Sequence, residues 1–322
     1  MLPLGYLPIP KEDKLITNVL SDDVFSRGWD IVWFNRGVYD RPAEQMADLR
    51  KKHGFKLVVD MDDWWELDPF HIGYDAYKVE YGKLTIANIE VADLVTCTHE
   101  RLAEKISRYN KNVHVVRPAL PYGEGQFDVN CDPSEVTRVV YCGSLTHQKD
   151  VDLLRFPMQR VQGDKSLRDK LHMVFSGYTD DPGYKPIADR MLHAFTCGLK
   201  IPGEIRGHRE VHEYMNLYED TDISMIPLIA TEFNSMKSCL KVLEAACSDN
   251  AVIVSKVDPY LGFPKDTVCY VEGQSDWYGY LKTLSKFPGE RKRLATKLRQ
   301  YCESEYNMAD VSNERLTLFK NL

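Results

Sequence analysis

The sequence has 322 residues, of which 43% are hydrophobic and 28% are charged, and its formal net charge is −7. This length is too great for one ordinary domain and is sufficient for two. The apolar runs fall short of the roughly 18 residues that cross a bilayer, and the proline-interrupted start lacks the basic residues of a secretory signal. We therefore expect a cytoplasmic protein without a transmembrane segment.

The excess acidic charge lies in the first part of the chain. Residues 1–133 contain 16 Lys and Arg against 22 Asp and Glu, a net charge of −6, whereas the remainder has 25 against 26, a net charge of −1. Proteins that bind nucleic acids usually carry a basic patch or stripe. The charge distribution therefore disfavours DNA or RNA as a partner.

The cysteines are scattered along the chain and contain no CxxC pair. Several fall within apolar strand or helix patterns, for example Cys142 and Cys247. This distribution predicts buried free thiols in a reducing compartment, in preference to disulfides or zinc sites. The eight cysteines are residues 97, 131, 142, 197, 239, 247, 269 and 302.

In the first half of the chain, continuous apolar strands alternate with helical patterns, as in a parallel sheet covered on both faces. The predicted strands are 30–34, 56–60, 93–97 and 113–116, and the predicted helices are 42–53, 76–91 and 99–109. Residues 117–134 are rich in proline and glycine and have no periodicity, which is typical of a linker.

The second half repeats the same alternation. The predicted strands are 138–142, 171–175, 222–226 and 251–255, with a shorter segment from Ile205 to Gly207. The predicted helices are 150–161, 209–218 and 235–247, and residues 276–322 have a helical pattern. The sequence therefore predicts an α/β protein with two Rossmann-like domains, over residues 1–125 and 126–322.

A glycine turn follows the first strand of the second half. Gly143 and Ser144 come directly after a buried strand, where backbone N–H groups can approach a phosphate at the start of the next helix. Lys149 lies six residues beyond the glycine and can provide the cation that a diphosphate leaving group needs. The alternative is a tight turn without a ligand.

The predicted helix 235–247 carries charged residues that point to a second part of the same site. Asn234 or its neighbour can cap the helix. Lys237, Lys241 and Glu244 are four and three residues apart, so they share one face. At the carboxyl edge of a sheet, Lys237 can meet a phosphate and Glu244 can accept hydrogen bonds from a ribose diol. The alternative is a solvated face of salt bridges.

An acidic cluster follows the strand 56–60. Asp60, Asp62 and Asp63 repel one another unless a metal, Arg36 or an acceptor hydroxyl offsets their charge. An Asp-x-Asp pair after an apolar strand is also how GT-A transferases bind a divalent ion, so that fold is a rival interpretation. The adjacent Trp64 can stack on a sugar or a base, or belong to the core.

Three segments of the second half resemble the donor domain of GT-B glycosyltransferases, in particular the retaining family-4 type. They begin at Val140, Ile205 and Phe233, and the third resembles the N-x-x-K-S-x-L-K-x-x-E-A helix of a bacterial and phage branch. The strand ends at Asn35-Arg36 and at Asp60–Asp63 are also similar to that branch. One departure is Met236, where the family's E-x7-E pattern has a glutamate.

This resemblance implies a GT-B fold, in which a cleft separates an N-terminal acceptor domain from a C-terminal donor domain with C-terminal helices. The implied catalytic residues are Asp60, Asp62, Lys149 and Lys237. The implied donor-binding residues are Gly143, Ser144, Lys149, Arg206, Gly207, Asn234, Lys237, Ser238, Lys241 and Glu244. The implied acceptor-binding residues are Asn35, Arg36, Asp62, Asp63 and Trp64.

The predicted activity is transfer of a hexose or pentose from a nucleotide-diphosphate sugar, with UDP as the expected nucleotide. Transfer is expected to retain anomeric configuration and to need no metal or other cofactor. The acceptor stays open among a glycan, a lipid-linked glycan and a modified DNA base. The alternatives are a phage-type DNA glycosyltransferase acting on hydroxymethylated pyrimidines, a metal-dependent GT-A enzyme, and a non-catalytic nucleotide-sugar-binding module.

Overall fold

Two separate parallel sheets organise the chain. The computed structural model describes residues 6–17, 21–38, 41–78, 80–129 and 135–322. By their internal contacts they form two compact units. The first unit comprises Leu2–Ala119, Ser235–Ser238 and Met308–Leu322, and the second comprises Leu120–Asn234 and Cys239–Asn307.

The sheet of the first unit has four parallel strands in consecutive order, with β1 and β4 at its edges. Its strands are β1 (Ile31–Asn35), β2 (Lys56–Met61), β3 (Leu94–Cys97) and β4 (Val113–Val115). Central strand β2 is buried through Leu57, Val58 and Val59, as a continuous apolar run predicts for a sheet covered on both faces.

The sheet of the second unit has six parallel strands in the order β10-β9-β8-β5-β6-β7. If the six strands of this unit are numbered 1 to 6 along the chain, their order in the sheet, read from β7 to β10, is 3-2-1-4-5-6. This is the Rossmann order. The strand order reverses between β5 and β8, and ligands bind in such folds at the carboxyl ends of the strands beside that point. Its strands are β5 (Thr137–Cys142), β6 (Leu171–Tyr178), β7 (Gly203–Gly207), β8 (Ile223–Ile226), β9 (Ala251–Ser255) and β10 (Cys269–Val271).

Helices cover these sheets. The α-helices are α1 (Asp22–Phe25), α2 (Ala43–His53), α3 (Tyr74–Tyr77), α4 (Glu80–Val91), α5 (Glu100–Ile106), α6 (Gln148–Val151), α7 (Arg155–Gly163), α8 (Lys165–Arg168), α9 (Lys185–Thr196), α10 (Glu232–Ser235), α11 (Leu240–Cys247), α12 (Gln274–Lys286), α13 (Pro288–Glu305) and α14 (Met308–Lys320). The 3-10 segments are Lys11–Asp13, Gly125–Phe127, Leu145–His147, Asp152–Leu154, Val211–Tyr218 and Asp258–Tyr260. Among the described residues, no helix is long and apolar enough to cross a membrane.

Helix α14 belongs to the first unit although it follows the second unit in sequence. Phe319 of α14 packs into a core cluster with Leu7, Val58 and Leu94, and its ring meets Trp33 of β1 edge-on at 5.4 Å. The predicted domain limits at residues 125 and 126 stay a prediction.

The prediction of one helix over residues 235–247 is wrong. The structure has α10 and α11, and residues 236–239 between them are not helical. Met236 is buried there, and Lys237 pairs with Asp63 of the first unit, so tertiary contacts override helix propensity. Lys237 therefore does not share a helical face with Lys241 and Glu244, and α11 begins without a side-chain cap from Asn234.

Other differences concern weakly patterned segments. The predicted helix 76–91 is divided into α3 and α4, and the predicted helix 209–218 is a 3-10 segment. The sequence predicts only the end of edge strand β7, because β7 alternates only partly and begins and ends with glycine. It does not predict edge strand β10 or helix α9. The seven described cysteines are buried and form no disulfide bond with one another, as the sequence predicts, whereas Cys131 lies outside the described residues.

Candidate functional site

The glycine turn lies at the carboxyl end of β5, beside the point where the strand order reverses. A Cβ atom on Gly143 would lie 2.5 Å from the hydroxyl oxygen of Tyr141 and 3.0 Å from Nζ of Lys241. A Cβ on Gly177, which has a φ of +92°, would lie 2.5 Å from the carbonyl oxygen of Gly143. Gly177 therefore requires glycine, because a side chain has neither the space nor the backbone conformation there, whereas a side chain at Gly143 would displace Tyr141 or Lys241.

Two residues of α11 reach this turn. Lys241 donates a 2.6 Å hydrogen bond to the carbonyl oxygen of Cys142. Glu244 is 6% exposed, and its Oε2 accepts hydrogen bonds from the hydroxyls of Tyr218 at 2.8 Å and Tyr214 at 3.3 Å. Its Oε1 has no hydrogen-bond partner among the described residues. Burial raises the pKa of Glu244, and Lys241 and the two hydroxyls oppose that rise.

Arg206 fixes the segment that carries these tyrosines. Its guanidinium donates to the carbonyl oxygens of Asn216 at 3.2 Å and Glu219 at 2.8 Å, and to the carboxylate of Glu204. The Arg206 donors are therefore occupied within the protein, and through the Val211–Tyr218 segment they support Glu244 indirectly. Gly207 ends β7 beside Arg206.

A buried carboxylate joins the loops that follow β5 and β8. Asp150 accepts hydrogen bonds from the backbone N–H of Ile229 at 2.8 Å and from the Asn234 amide at 3.2 Å. Its other oxygen lies 2.7 Å from Nδ1 of His147. No sequence motif marks Asp150 and His147 as site residues, although both stand within eight residues of Gly143.

The predicted donor residues thus fall into three groups. Gly143, Lys241 and Glu244 meet at the end of β5, and Asn234 joins the same edge through Asp150. Ser144 and Lys149 are exposed on the intervening loop. Lys237 and Ser238 group with the first unit.

Basic side chains contact two carboxylates of the acidic cluster in the first unit. Arg36 adopts a φ of +57°, which is uncommon outside glycine. It donates to Asp62 at 2.6 Å and to Asp63 at 3.3 Å. The Asn35 amide also donates to Asp62, at 3.1 Å, and Nζ of Lys237 lies 3.4 Å from Asp63. Burial alone would raise the pKa of Asp62, but the Arg36 and Asn35 hydrogen bonds and the Arg36 charge lower it below its usual value.

Asp60 lies deeper and has different partners. The hydroxyl of Thr96 on β3 donates to its Oδ1 at 2.5 Å. Burial raises the pKa of Asp60, against the opposing effects of the Arg315 charge and the Thr96 hydrogen bond. Arg315 comes from α14, and its guanidinium lies 5.0 Å from the centre of the Trp33 ring. Thr96 and Arg315 are not predictable from the sequence as neighbours of Asp60, because no local motif links either of them to it.

Trp64 is buried among protein side chains. It is 7% exposed, it meets Trp65 edge-on at 6.5 Å, and Nζ of Lys105 lies 4.9 Å from its ring centre. Its predicted contact with an acceptor stays a prediction. No group of three or more His, Cys, Asp or Glu side chains in the described part of the chain is arranged to hold a metal ion.

A cavity of about 1130 Å³ runs along the open edge of β1 in the first unit. Its lining includes Trp33 and Asn35 from β1 and Leu316 and Phe319 from α14. It therefore extends to the carboxyl end of β1, where Asn35 contacts the acidic cluster.

No family model and no curated protein matches the sequence, but solved structures match the fold. The sucrose-phosphate synthase of Thermosynechococcus elongatus has a TM-score of 0.69 at 14% identity, over 91% of this chain and 74% of that chain. HepE of Anabaena, solved in complex with UDP and glucose, has a TM-score of 0.69 at 10% identity, over 91% and 78%. A glycosyltransferase from Rickettsia africae has a TM-score of 0.66 at 13% identity, over 93% and 79%.

These neighbours are GT-B glycosyltransferases. The chain has the GT-B fold. This fold confirms the prediction of an α/β protein with two parallel-sheet domains. The alternative prediction of a GT-A fold, made from the Asp-x-Asp pair, is wrong.

Proposed function

We propose that the chain is a glycosyltransferase that binds a UDP-sugar on its second unit and transfers the sugar, with retention, to an acceptor hydroxyl bound on its first unit. The observation that carries this proposal is Glu244. Its buried carboxylate lies where Rossmann folds bind ligands, and two tyrosines anchor one of its oxygens and leave the other without a partner among the described residues.

The donor contacts follow from this arrangement. Oε1 of Glu244 accepts a hydrogen bond from a ribose hydroxyl, while Tyr214 and Tyr218 hold Oε2 in place. Lys149, exposed on the loop after Gly143, supplies positive charge to the departing diphosphate. A charge-assisted contact of this kind is roughly twice as strong as a neutral hydrogen bond. UDP is preferred because HepE, which shares the fold, was solved with UDP and glucose.

The acceptor contacts are assigned to the acidic cluster. Asp62 stays ionised beside Arg36 and accepts a hydrogen bond from an acceptor hydroxyl. The cavity along β1 gives room for an acceptor larger than one sugar beside Asn35. In front-face retaining transfer, the leaving phosphate oxygen takes the acceptor proton, so the protein mainly contributes positioning and positive potential. No metal is required in this scheme.

A binding panel followed by turnover tests the proposal. Isothermal titration with UDP-glucose, UDP-N-acetylglucosamine, GDP-mannose and ADP-glucose should give binding with a uridine donor, and the bound donor should be hydrolysed slowly in excess EDTA. Donor binding without hydrolysis or transfer, including transfer to hydroxymethylcytosine DNA, would indicate a non-catalytic binding module. Failure of every nucleotide sugar to bind would refute the proposal.

A further inference from the structure

The first strand of each unit has a different place in its sheet. In the second unit β5 is paired on both sides, with β6 and with β8, whereas in the first unit β1 is paired only with β2 among the described residues. The Rossmann order 3-2-1-4-5-6 gives the first strand a neighbour on each side, and the four strands of the first unit correspond to its 1-4-5-6 half. The edge of β1 is therefore open on the side where a Rossmann sheet continues.

This open edge carries backbone groups without partners. The N–H of Lys56 on β2 donates to the carbonyl oxygen of Asp30 at 2.8 Å, and the backbone groups of a strand point alternately to its two sides. The even-numbered residues of β1 therefore bond to β2, and the odd-numbered residues Ile31 and Trp33 face the open side. Their N–H and C=O groups have no hydrogen-bond partner among the described residues. The edge thus offers donors and acceptors at the spacing of a strand.

Two apolar layers border the edge, one on each face of the sheet. Phe34 packs against a core cluster that includes Met46, and Trp33, which points to the opposite face, packs against a cluster that includes Phe319. Members of both clusters line the cavity of about 1130 Å³ along β1. Residues 31–34 are apolar and only half-buried, whereas the centre of β2 is fully buried. A strand added at this edge would lie between two apolar layers, as β2 does.

The chemistry of the edge defines its occupant. An extended polypeptide can pair with the donors and acceptors of Ile31 and Trp33, whereas an acyl or isoprenoid chain would fill the cavity and leave them unsatisfied. A strand between two apolar layers needs apolar side chains on both faces, so its sequence is a continuous apolar run. The charged side chains of the cavity lining balance in number, which favours a segment without net charge. They are Glu12, Asp13 and Asp30 on the acidic side and Lys14, Arg27 and Lys320 on the basic side.

We propose that the edge of β1 binds an extended apolar segment of a partner polypeptide by strand addition, in which the segment becomes a further strand of the first sheet. The segment pairs with Ile31 and Trp33 and stops short of Asn35, whose carbonyl oxygen already accepts the N–H of Gly37 at 2.6 Å. The end of the cavity beside Asn35 therefore stays free for a sugar acceptor. A second copy of the chain is a poorer occupant, because its own β1 lies between two apolar layers that obstruct its entry. Strand addition is independent of the proposed function, since it uses neither the donor site nor the acidic cluster.

A labelled peptide tests for strand addition. The probe is fluorescein-labelled GKVIVIVEG, whose apolar run matches the five residues of β1 and whose opposite charges cancel, and its binding is measured by fluorescence anisotropy. N-methylation of the isoleucines blocks one edge of the peptide and should leave its affinity within about twofold, because the valine edge can still pair. N-methylation of the whole apolar run blocks both edges and should weaken binding by about tenfold or more. Lauric acid should not displace the probe.

Variants of the chain locate the binding edge. Ile31→Pro removes an N–H that faces the open side and keeps the bonds to β2, a position at which edge strands accept proline, and it should weaken the probe by about tenfold or more. Its matched control Ile31→Ala shortens the side chain but keeps the N–H, and should weaken the probe less. Ile16→Lys places a charge in the cavity from a side chain that is 49% exposed and should also weaken the probe, whereas Leu199→Lys, at a position 50% exposed on the second unit, should not.

Melting curves show which variants are folded, and Ile16→Lys, at an exposed position, decides the outcome if Ile31→Pro does not fold. Strand addition would be overturned if the unsubstituted chain did not bind the probe, if the fully methylated peptide bound equally well or lauric acid displaced the probe, or if Ile16→Lys and Leu199→Lys had equal affinity. A dimer that Ile31→Pro disperses in sedimentation velocity would assign the edge to a second copy and would also overturn it. Failure of the unsubstituted chain to bind any nucleotide sugar would overturn the proposed function alone.

Discussion

The hydrogen bond from Tyr218 to Glu244 can be tested by its contribution to stability. Replacing Tyr218 with Phe removes the hydroxyl that lies 2.8 Å from Oε2 and keeps the ring that packs in the core. A hydrogen bond to a charged group contributes about 1.5–3 kcal/mol. Because no cavity is created, Tyr218→Phe should lower the free energy of unfolding of the second unit by about 2 kcal/mol, or Tm by roughly 4–8 °C for a domain of that size.

Two control variants test whether this loss of unfolding free energy comes from the hydrogen bond between Tyr218 and Glu244. Tyr214→Phe removes a longer, 3.3 Å contact with the same oxygen and should have a smaller effect. In a Glu244→Gln background the acceptor is neutral, so Tyr218→Phe should lose only about 0.5–1.5 kcal/mol.

The pH dependence of stability follows from the raised pKa of Glu244. A raised carboxyl pKa means that the folded state binds the proton more tightly, so the corresponding stability is present below the unfolded pKa and is lost as pH rises through the folded pKa. Calorimetry from pH 4 upwards should show this loss, and Glu244→Gln should abolish it.

Two results would refute the reasoning about the tyrosine hydrogen bonds. One is an equal loss of unfolding free energy for Tyr218→Phe and Tyr214→Phe, and the other is an unchanged loss for Tyr218→Phe in the Glu244→Gln background.

Three further predictions concern function. Lys149→Ala should weaken UDP by about tenfold or more through loss of a charge-assisted contact and leave uridine nearly unchanged in titration calorimetry, with Lys165→Ala as an exposed control; equal weakening of both ligands would contradict the phosphate role. Glu244→Gln should lose part of the discrimination between UDP and 2′-deoxy-UDP in the same assay, and undiminished discrimination would place the ribose elsewhere. Asp62→Asn should reduce sugar transfer while UDP affinity stays the same, and turnover should survive excess EDTA; activity restored only by manganese would show that a metal is needed.

The parts of the fold that the sequence predicted well depend on local patterns. The apolar run of β2 and the strand-to-glycine junction at Gly143 are visible in a few consecutive residues, because burial on both faces and close backbone approach leave little choice of residue type. Local context also indicates Glu244 as a site residue, but it does not indicate the tyrosine partners of Glu244, since they come from a 3-10 segment with no distinguishing spacing.

The parts that were missed depend on contacts between distant residues. The neighbours of Lys237 favour helix and so predict a helical position for it, yet its pairing with Asp63 is a tertiary contact that no local propensity contains. Arg315 looks like an ordinary residue of an amphipathic helix, and only the position of α14 on the first sheet brings its charge to Asp60. A buried unpaired charge is visible only after folding.

The packing of α14 also bears on how the protein is made. Domains generally fold in the order in which they leave the ribosome, but part of the core around Trp33 comes from Phe319. At about 5–20 residues per second, the residues that separate Ala119 from Met308 take roughly 10–40 s to synthesise. During that interval the apolar surface that α14 covers in the folded protein stays exposed on the nascent first sheet. We expect chaperones that bind exposed apolar segments to bind it there.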